Sequence, residues 1–233
     1  MTFIDKSLRQ AKQLAKQGKI DDANALYMKA LERFPSSRRI QAAQSALQLS
    51  LSKEISGTAK QKLTALYNDN RLREAHALAS ALLQSHGPSA YIHNILGLIF
   101  DRSGSHDNAI QSFEKALVIE PDKAEILSNL GQCLKNRGHF ERAIATLQGA
   151  VAADPTSYQA YNNLGGALRE INDFDGALAA FKRAAKLNSD LAEPLFNIGL
   201  IYSEMGEIDK AIEYCEMARE ITPQFPEILR NLS

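Results

Sequence analysis

The feature that most constrains this chain is a 34-residue unit written four times in succession, beginning at Ala90, Ala124, Tyr158 and Ala192 and aligning without a gap. Glycine holds the eighth place of every unit, as Gly97, Gly131, Gly165 and Gly199. Alanine holds the twentieth (Ala109, Ala143, Ala177, Ala211) and the twenty-seventh (Ala116, Ala150, Ala184, Ala218). The units close on Pro121, Pro155 and Pro223, with Ser189 the exception in the third. A repeated unit of this size cannot bury an apolar face alone and does so by stacking on its neighbours, so an array is expected rather than one closed core.

This period, with these residues in these places, resembles the tetratricopeptide repeat, a helix, a turn and a second antiparallel helix. The resemblance implies an all-α fold, a right-handed superhelical solenoid of helix pairs. Glycine inside a helix costs about 1 kcal/mol against alanine, so four at equal spacing need a common cause. In the family that cause is close helix approach, the glycine of the first helix lying against the twentieth-place alanine of the second. Leu96, Phe100 and Phe113, or Leu164, Leu168 and Phe181, fill the other inward places. Units end where proline cannot continue a helix.

The same pattern orders the rest of the chain. Residues 1–51 read as a degenerate N-terminal pair plus one extra helix: Ala11, Leu14, Gly18, Ile20, Ala23, Tyr27, Ala30 and Pro35 take the unit's places, and Ser37 to Leu51 follows as a single helix. Ser7 and Gln10 stand where apolar residues are usual, and a polar outer face suits the cap of an array. Residues 52–58 (SKEISGT) read as a break or hinge. Residues 59–89 form a divergent pair whose turn, Asp69–Asn70–Arg71, lacks the usual glycine. The four regular units occupy 90–123, 124–157, 158–191 and 192–225, and residues 226–233, with Ile228, Leu229 and Leu232, read as the opening of a further repeat or a capping helix.

Composition narrows the chemistry. The N-terminus carries charges where a secretory signal needs an apolar run, and no stretch is continuously apolar over the roughly 18 residues of a membrane span. A cytoplasmic chain with no membrane partner is expected. Cys133 and Cys215 lie in different units at apolar places and read as buried reduced thiols. His76, His86, His93, His106 and His139 are scattered, with no pair at i, i+4, and neither a phosphate-binding loop nor a catalytic constellation is present. Gly165 and Gly166 lie in a helix and belong to the packing column. Neither catalytic residue, metal nor cofactor is expected. Net charge is zero, yet residues 1–62 hold 12 Lys or Arg against 5 Asp or Glu, so the basic surplus lies at the N-terminal end.

Function is therefore expected in a surface. In the repeat family the first helices line the concave side, and their second, fifth, sixth, ninth, twelfth and thirteenth places face the groove. Asn129, Asn163, Asn197 and Asn231 share the sixth place, a line of carboxamides that both donate and accept. The column resembles the asparagine ladder of the repeat domain in protein O-linked N-acetylglucosamine transferase, which implies contact with the backbone of an extended peptide. Asparagine at this place also bonds the neighbouring helix in repeats of many kinds. Asn94 and Asn162 join the set from the fifth place. Lys135 and Arg169, in the twelfth place, suit an acidic side chain, and Tyr91, Leu98, Phe196 and Leu200 supply apolar contacts at the two ends. The groove has neither a basic stripe nor regularly exposed aromatics, which argues against nucleic acid.

The leading expectation is a non-catalytic scaffold that binds an extended peptide or a partner helix. A second reading comes from the order of elements, which resembles the N-terminal regions of bacterial repeat-containing sulfotransferases and glycosyltransferases and implies a substrate-recruiting part of a larger enzyme. Self-association into a homo-oligomer through the terminal repeats is the third.

Overall fold

The structure, a computed structural model, describes residues 3–17, 19–44 and 55–223. Among the described residues all regular elements are α-helices. Contacts divide the chain into two compact units, residues 1–63 with 80–87 and residues 64–79 with 88–233. Gly18, the end of the single helix that starts near Ser37, the opening of the break at 52–58, and the tail with Ile228, Leu229, Asn231 and Leu232 lie outside the described residues.

In the first unit α1 (Phe3–Lys16) packs on α2 (Ile20–Arg33), and residues 38–44 are helical. Ala11, Ala23, Tyr27, Ala30 and Ile40 share one core. Gln10 is exposed, but Ser7 is buried, so the polar substitutions do not all lie on an outer face. Helix α3 spans Gly57–Asn68 and α4 spans Leu72–His86. The last two residues of the expected break therefore already belong to a helix. The turn after α3 lacks glycine because Asn70 takes the left-handed conformation (φ 58°), which asparagine tolerates better than most residues.

The second unit holds the regular array: α5 (Ala90–Arg102), α6 (His106–Ile119), α7 (Ala124–Asn136), α8 (Phe140–Ala153), α9 (Tyr158–Glu170), α10 (Phe174–Leu187), α11 (Ala192–Glu204) and α12 (Ile208–Ile221). Each first helix starts on the residue that opens its 34-residue unit. Ser89, Ser157 and Asp173 cap helices by accepting from the backbone N–H three residues on. The fifteenth place needs a left-handed turn, which Gly104, Gly138 and Gly206 adopt freely and Asn172 adopts at φ 60°.

The glycine column has a partner other than the expected one. A Cβ built on Gly97 or Gly131 would run into Phe113 or Leu147, and one on Gly165 would sit 2.9 Å from the Phe181 ring. These are side chains of the twenty-fourth place. At Gly199 the nearest neighbours are Cys215 Sγ at 2.8 Å, again of the twenty-fourth place, and the carbonyl of the twentieth-place Ala211 at 3.1 Å. The large residue one helical turn further along fills the space that the missing side chain leaves, while the alanines let the helix backbones approach. Successive first helices pack on one another as well as on their partners, and more closely than successive second helices do. The first helices therefore occupy the inner side of the array.

Candidate functional site

Hydrogen bonds with the period of the repeat join successive first helices. Asn94 Nδ2 donates to Glu125 Oε1 at 3.0 Å, and Asn162 Nδ2 donates to Glu193 Oε1 at 2.9 Å, both from a fifth place to the next unit's second place. In the other direction Asn129 Nδ2 donates to Asn94 Oδ1 at 3.0 Å, and Asn163 Nδ2 donates to Ser128 Oγ at 3.1 Å, from a sixth place to the preceding fifth. The carboxamides of Asn129 and Asn163 thus already bond the neighbouring helix, each with one N–H.

This geometry corrects two expected groove residues. Asn94 is buried, with both ends of its amide engaged, and Phe196 is buried with Ala192, Cys215 and Ala218. Ser128 is buried as well. The fifth place points into the seam with the next unit's first helix, so in three of the four units it is a packing position. Tyr91 is half-buried, its hydroxyl 2.7 Å from Thr64 Oγ1. Leu98 packs against the core that runs through the first three regular units. Leu200 is half-buried and lines a cavity of about 240 Å³ with Ile208, Ile212 and Cys215. These residues do not share one site.

Seven of the expected or neighbouring polar residues do converge. Gln132 and Lys135 from α7, Asn162, Asn163 and Arg169 from α9, and Glu193 and Asn197 from α11 line a cavity of about 170 Å³ on the first-helix face. Glu170, which the column reasoning missed, completes its wall, with its carboxylate 3.9 Å from Arg169. Burial holds Lys135 below the ordinary lysine value, opposed by Glu170 and Glu193 and reinforced by Arg169. The sixth-to-fifth register of bonds fails between the third and fourth units. By analogy with Asn129 and Asn94, Asn197 would donate to Asn162 Oδ1; instead that oxygen is buried with no hydrogen-bond partner among the described residues. A buried acceptor in this state costs about 1–3 kcal/mol, which a donor arriving from a ligand would recover. Gly166 belongs to this site and not to the packing column: a Cβ there would meet Lys135 Nζ at 3.2 Å.

A second polar cluster lies where the first regular unit meets the second. The His106 ring Nδ1 is 2.8 Å from Asp101 Oδ1, and Cys133 Sγ–H points to the His106 carbonyl at 3.6 Å. Burial, followed by the neighbouring Asp101, pushes the Cys133 thiol up to about 12. Burial also raises Cys215, so neither is an activated nucleophile. His93 is half-buried and held below its ordinary value by burial and then by Lys115.

Models of the tetratricopeptide repeat match residues 7–37, 61–125, 102–168 and 192–225, and a model described as TPR repeat matches 165–206. This chain belongs to the tetratricopeptide repeat family. Solved structures agree on the fold of this repeat protein. The crystal structure of MamA superposes with a TM-score of 0.61 at 23% identity, over 69% of this chain and 94% of that one. YrrB, described as a TPR protein with an unusual peptide-binding site, gives 0.60 at 22% identity, over 88% and 96%. PilF of Pseudomonas aeruginosa gives 0.66 at 18% identity, over 74% and 78%. Among curated proteins, a probable biofilm formation methyltransferase, WspC of Pseudomonas aeruginosa, is 40% identical over 62 residues, which is 27% of this repeat chain and 15% of that protein. The repeat chain therefore spans a small part of that relative. Among the described residues, no helix is long and apolar enough to cross a membrane.

Proposed function

We propose that the array is a non-catalytic interaction scaffold that takes an extended peptide along its first helices, with an acidic side chain of the peptide seated between Lys135 and Arg169. The observation that carries this reading is the buried, unpartnered Asn162 Oδ1 in the wall of the cavity that three successive units line. A peptide N–H supplies the donor that Asn197 does not. Asn163 and Asn197 offer further carboxamide groups beside it, and a ligand carboxylate offsets the desolvation of Lys135. Asn129 extends the same line towards the preceding unit; Asn231, expected to extend it the other way, belongs to the same proposal. The peptide-binding site named for YrrB is a likeness of fold that agrees with this reading and carries none of its residues.

The test is selection from a displayed random-peptide library on the purified chain, followed by fluorescence anisotropy with the recovered peptides. Selected sequences should be enriched in Asp or Glu, and binding should weaken about tenfold or more in Lys135→Ala and in Asn163→Ala/Asn197→Ala, since a lost charged hydrogen bond is worth about 1.5–3 kcal/mol. Recovered peptides that bind these variants as tightly as the wild type would overturn the assignment.

The match to part of a methyltransferase favours a second reading, in which the array recruits substrate for a transferase domain on the same polypeptide. The relative differs in chemistry from the sulfotransferases and glycosyltransferases whose element order this chain resembles. Sequencing the reading frame beyond Ser233 decides it: a transferase domain there supports the reading, and an immediate stop codon removes it.

A further inference from the structure

We propose that Asp101, His106 and Cys133 form a binding site for a divalent transition metal ion of the zinc type, set in the seam between the first two regular units. The donor atoms of the three side chains all lie within 4.8 Å of one another. Metal–ligand bonds of about 2.0–2.3 Å bring the donors around one zinc ion to within about 4 Å of each other, so small side-chain rotations close the set. Carboxylate, imidazole and thiolate are the oxygen, nitrogen and sulfur donors that zinc accepts together. Three protein ligands leave a fourth position. Asp101 and His106 are about one-third exposed, which gives that position a route to water, while Cys133 is buried beneath them.

The repeat itself provides the second observation. Asp101, His106 and Cys133 occupy the twelfth place, the seventeenth place and the tenth place of the following unit. At the next seam the same three places hold Lys135, Phe140 and Ala167, and at the one after it Arg169, Phe174 and Ile201. These two seams thus fill the seventeenth–tenth contact with apolar side chains and the twelfth place with a cation. At one seam all three places change together, and each change is to a metal-ligating residue type. A packing requirement does not produce that: phenylalanine and alanine already satisfy the contact elsewhere. Regular backbone carries all three ligands: Asp101 and His106 flank the tight turn at Gly104 (φ 75°), and Cys133 lies in the last turn of α7.

The charge balance is complete. A dication, one carboxylate, one thiolate and one neutral imidazole sum to zero. Binding replaces the S–H bond by a metal–sulfur bond and releases the proton to solvent, with no change of oxidation state. Arg137, a cation that acts on the thiol, is already paired with Asp107 at 3.2 Å.

The experiment is a cobalt(II) titration of the untagged, metal-free full chain, read by the thiolate-to-cobalt charge-transfer band and by the visible bands of a tetrahedral ion, followed by displacement with zinc. The wild type should take up one equivalent, as should Cys215→Ala, which removes the other thiol. Cys133→Ala should lose the charge-transfer band, and His106→Phe and Asp101→Asn should weaken binding about tenfold or more. C133A and H106F introduce the residue types that the array uses at other seams, so both should fold, as circular dichroism would verify. Zinc should raise the melting temperature of the wild type and leave that of C133A unchanged. Absence of a thiolate band in the wild type, its persistence in C133A, or equal affinity across the folded variants would each overturn the proposal.

Discussion

Gly165 and Gly166 are neighbours in α9, yet an added methyl group meets different surroundings at each. At Gly165 it lies 2.9 Å from the ring of Phe181, a buried side chain with no room to move. At Gly166 it lies 3.2 Å from Lys135 Nζ, the free end of a flexible chain. Overpacking a core costs about 1–3 kcal/mol, more than the roughly 0.5–1 kcal/mol that alanine gains over glycine in a helix. Urea unfolding should therefore show Gly165→Ala less stable than the wild type and Gly166→Ala equally or more stable. The second variant should still bind the selected acidic peptides more weakly, because it displaces Lys135 from the cavity. Equal stability of the two variants would mean that the packing column does not end at Gly165.

At the scale of the helix, the asparagine column was legible in the sequence, but the choice between its two roles, ligand contact and a bond to the neighbouring helix, was not. A 34-residue recurrence shows that a carboxamide belongs at the sixth place; it does not show in which direction the amide points. Asn129 and Asn163 reach back to the preceding helix, and the fifth place turns into the seam, which is why Asn94 and Phe196 left the groove. The same limit hid the partner of the glycines, since twentieth and twenty-fourth places lie on one helical face and only packing distinguishes them. The Asp101–His106–Cys133 cluster was also written in the columns, but residues taken one type at a time do not reveal a set drawn from three places. Asn94 and Asn197 separate the two roles. Asn94→Ala removes a buried amide and leaves Glu125 and Asn129 without it, at a cost of about 1–3 kcal/mol. Asn197→Ala removes no inter-unit bond, and its stability should stay within about 0.5 kcal/mol of the wild type. Thermal unfolding of both checks this, and a large loss in N197A would show that Asn197 holds a seam.

For the whole molecule, the period made the fold readable because each stacked unit meets mainly its neighbours, so local sequence and global architecture agree. That agreement has a thermodynamic consequence within residues 88–223. Phe113 is buried against Gly97 at one end of a core that runs through the first three regular units, and its replacement by alanine should cost about 3–5 kcal/mol. In a closed globular core such a loss lowers the stability of every element alike. In a linear stack it falls on the helices around α5 and α6, while α11 keeps its own contacts with α10 and α12. Phe113→Ala should then unfold over a wider range of urea, with a smaller m-value, because part of the surface is exposed before the main transition. Hydrogen exchange should locate the change: amides of α5–α6 lose protection, and those of α11–α12 retain it. A uniform loss of protection with an unchanged m-value would show instead that the regular units unfold as a single cooperative body.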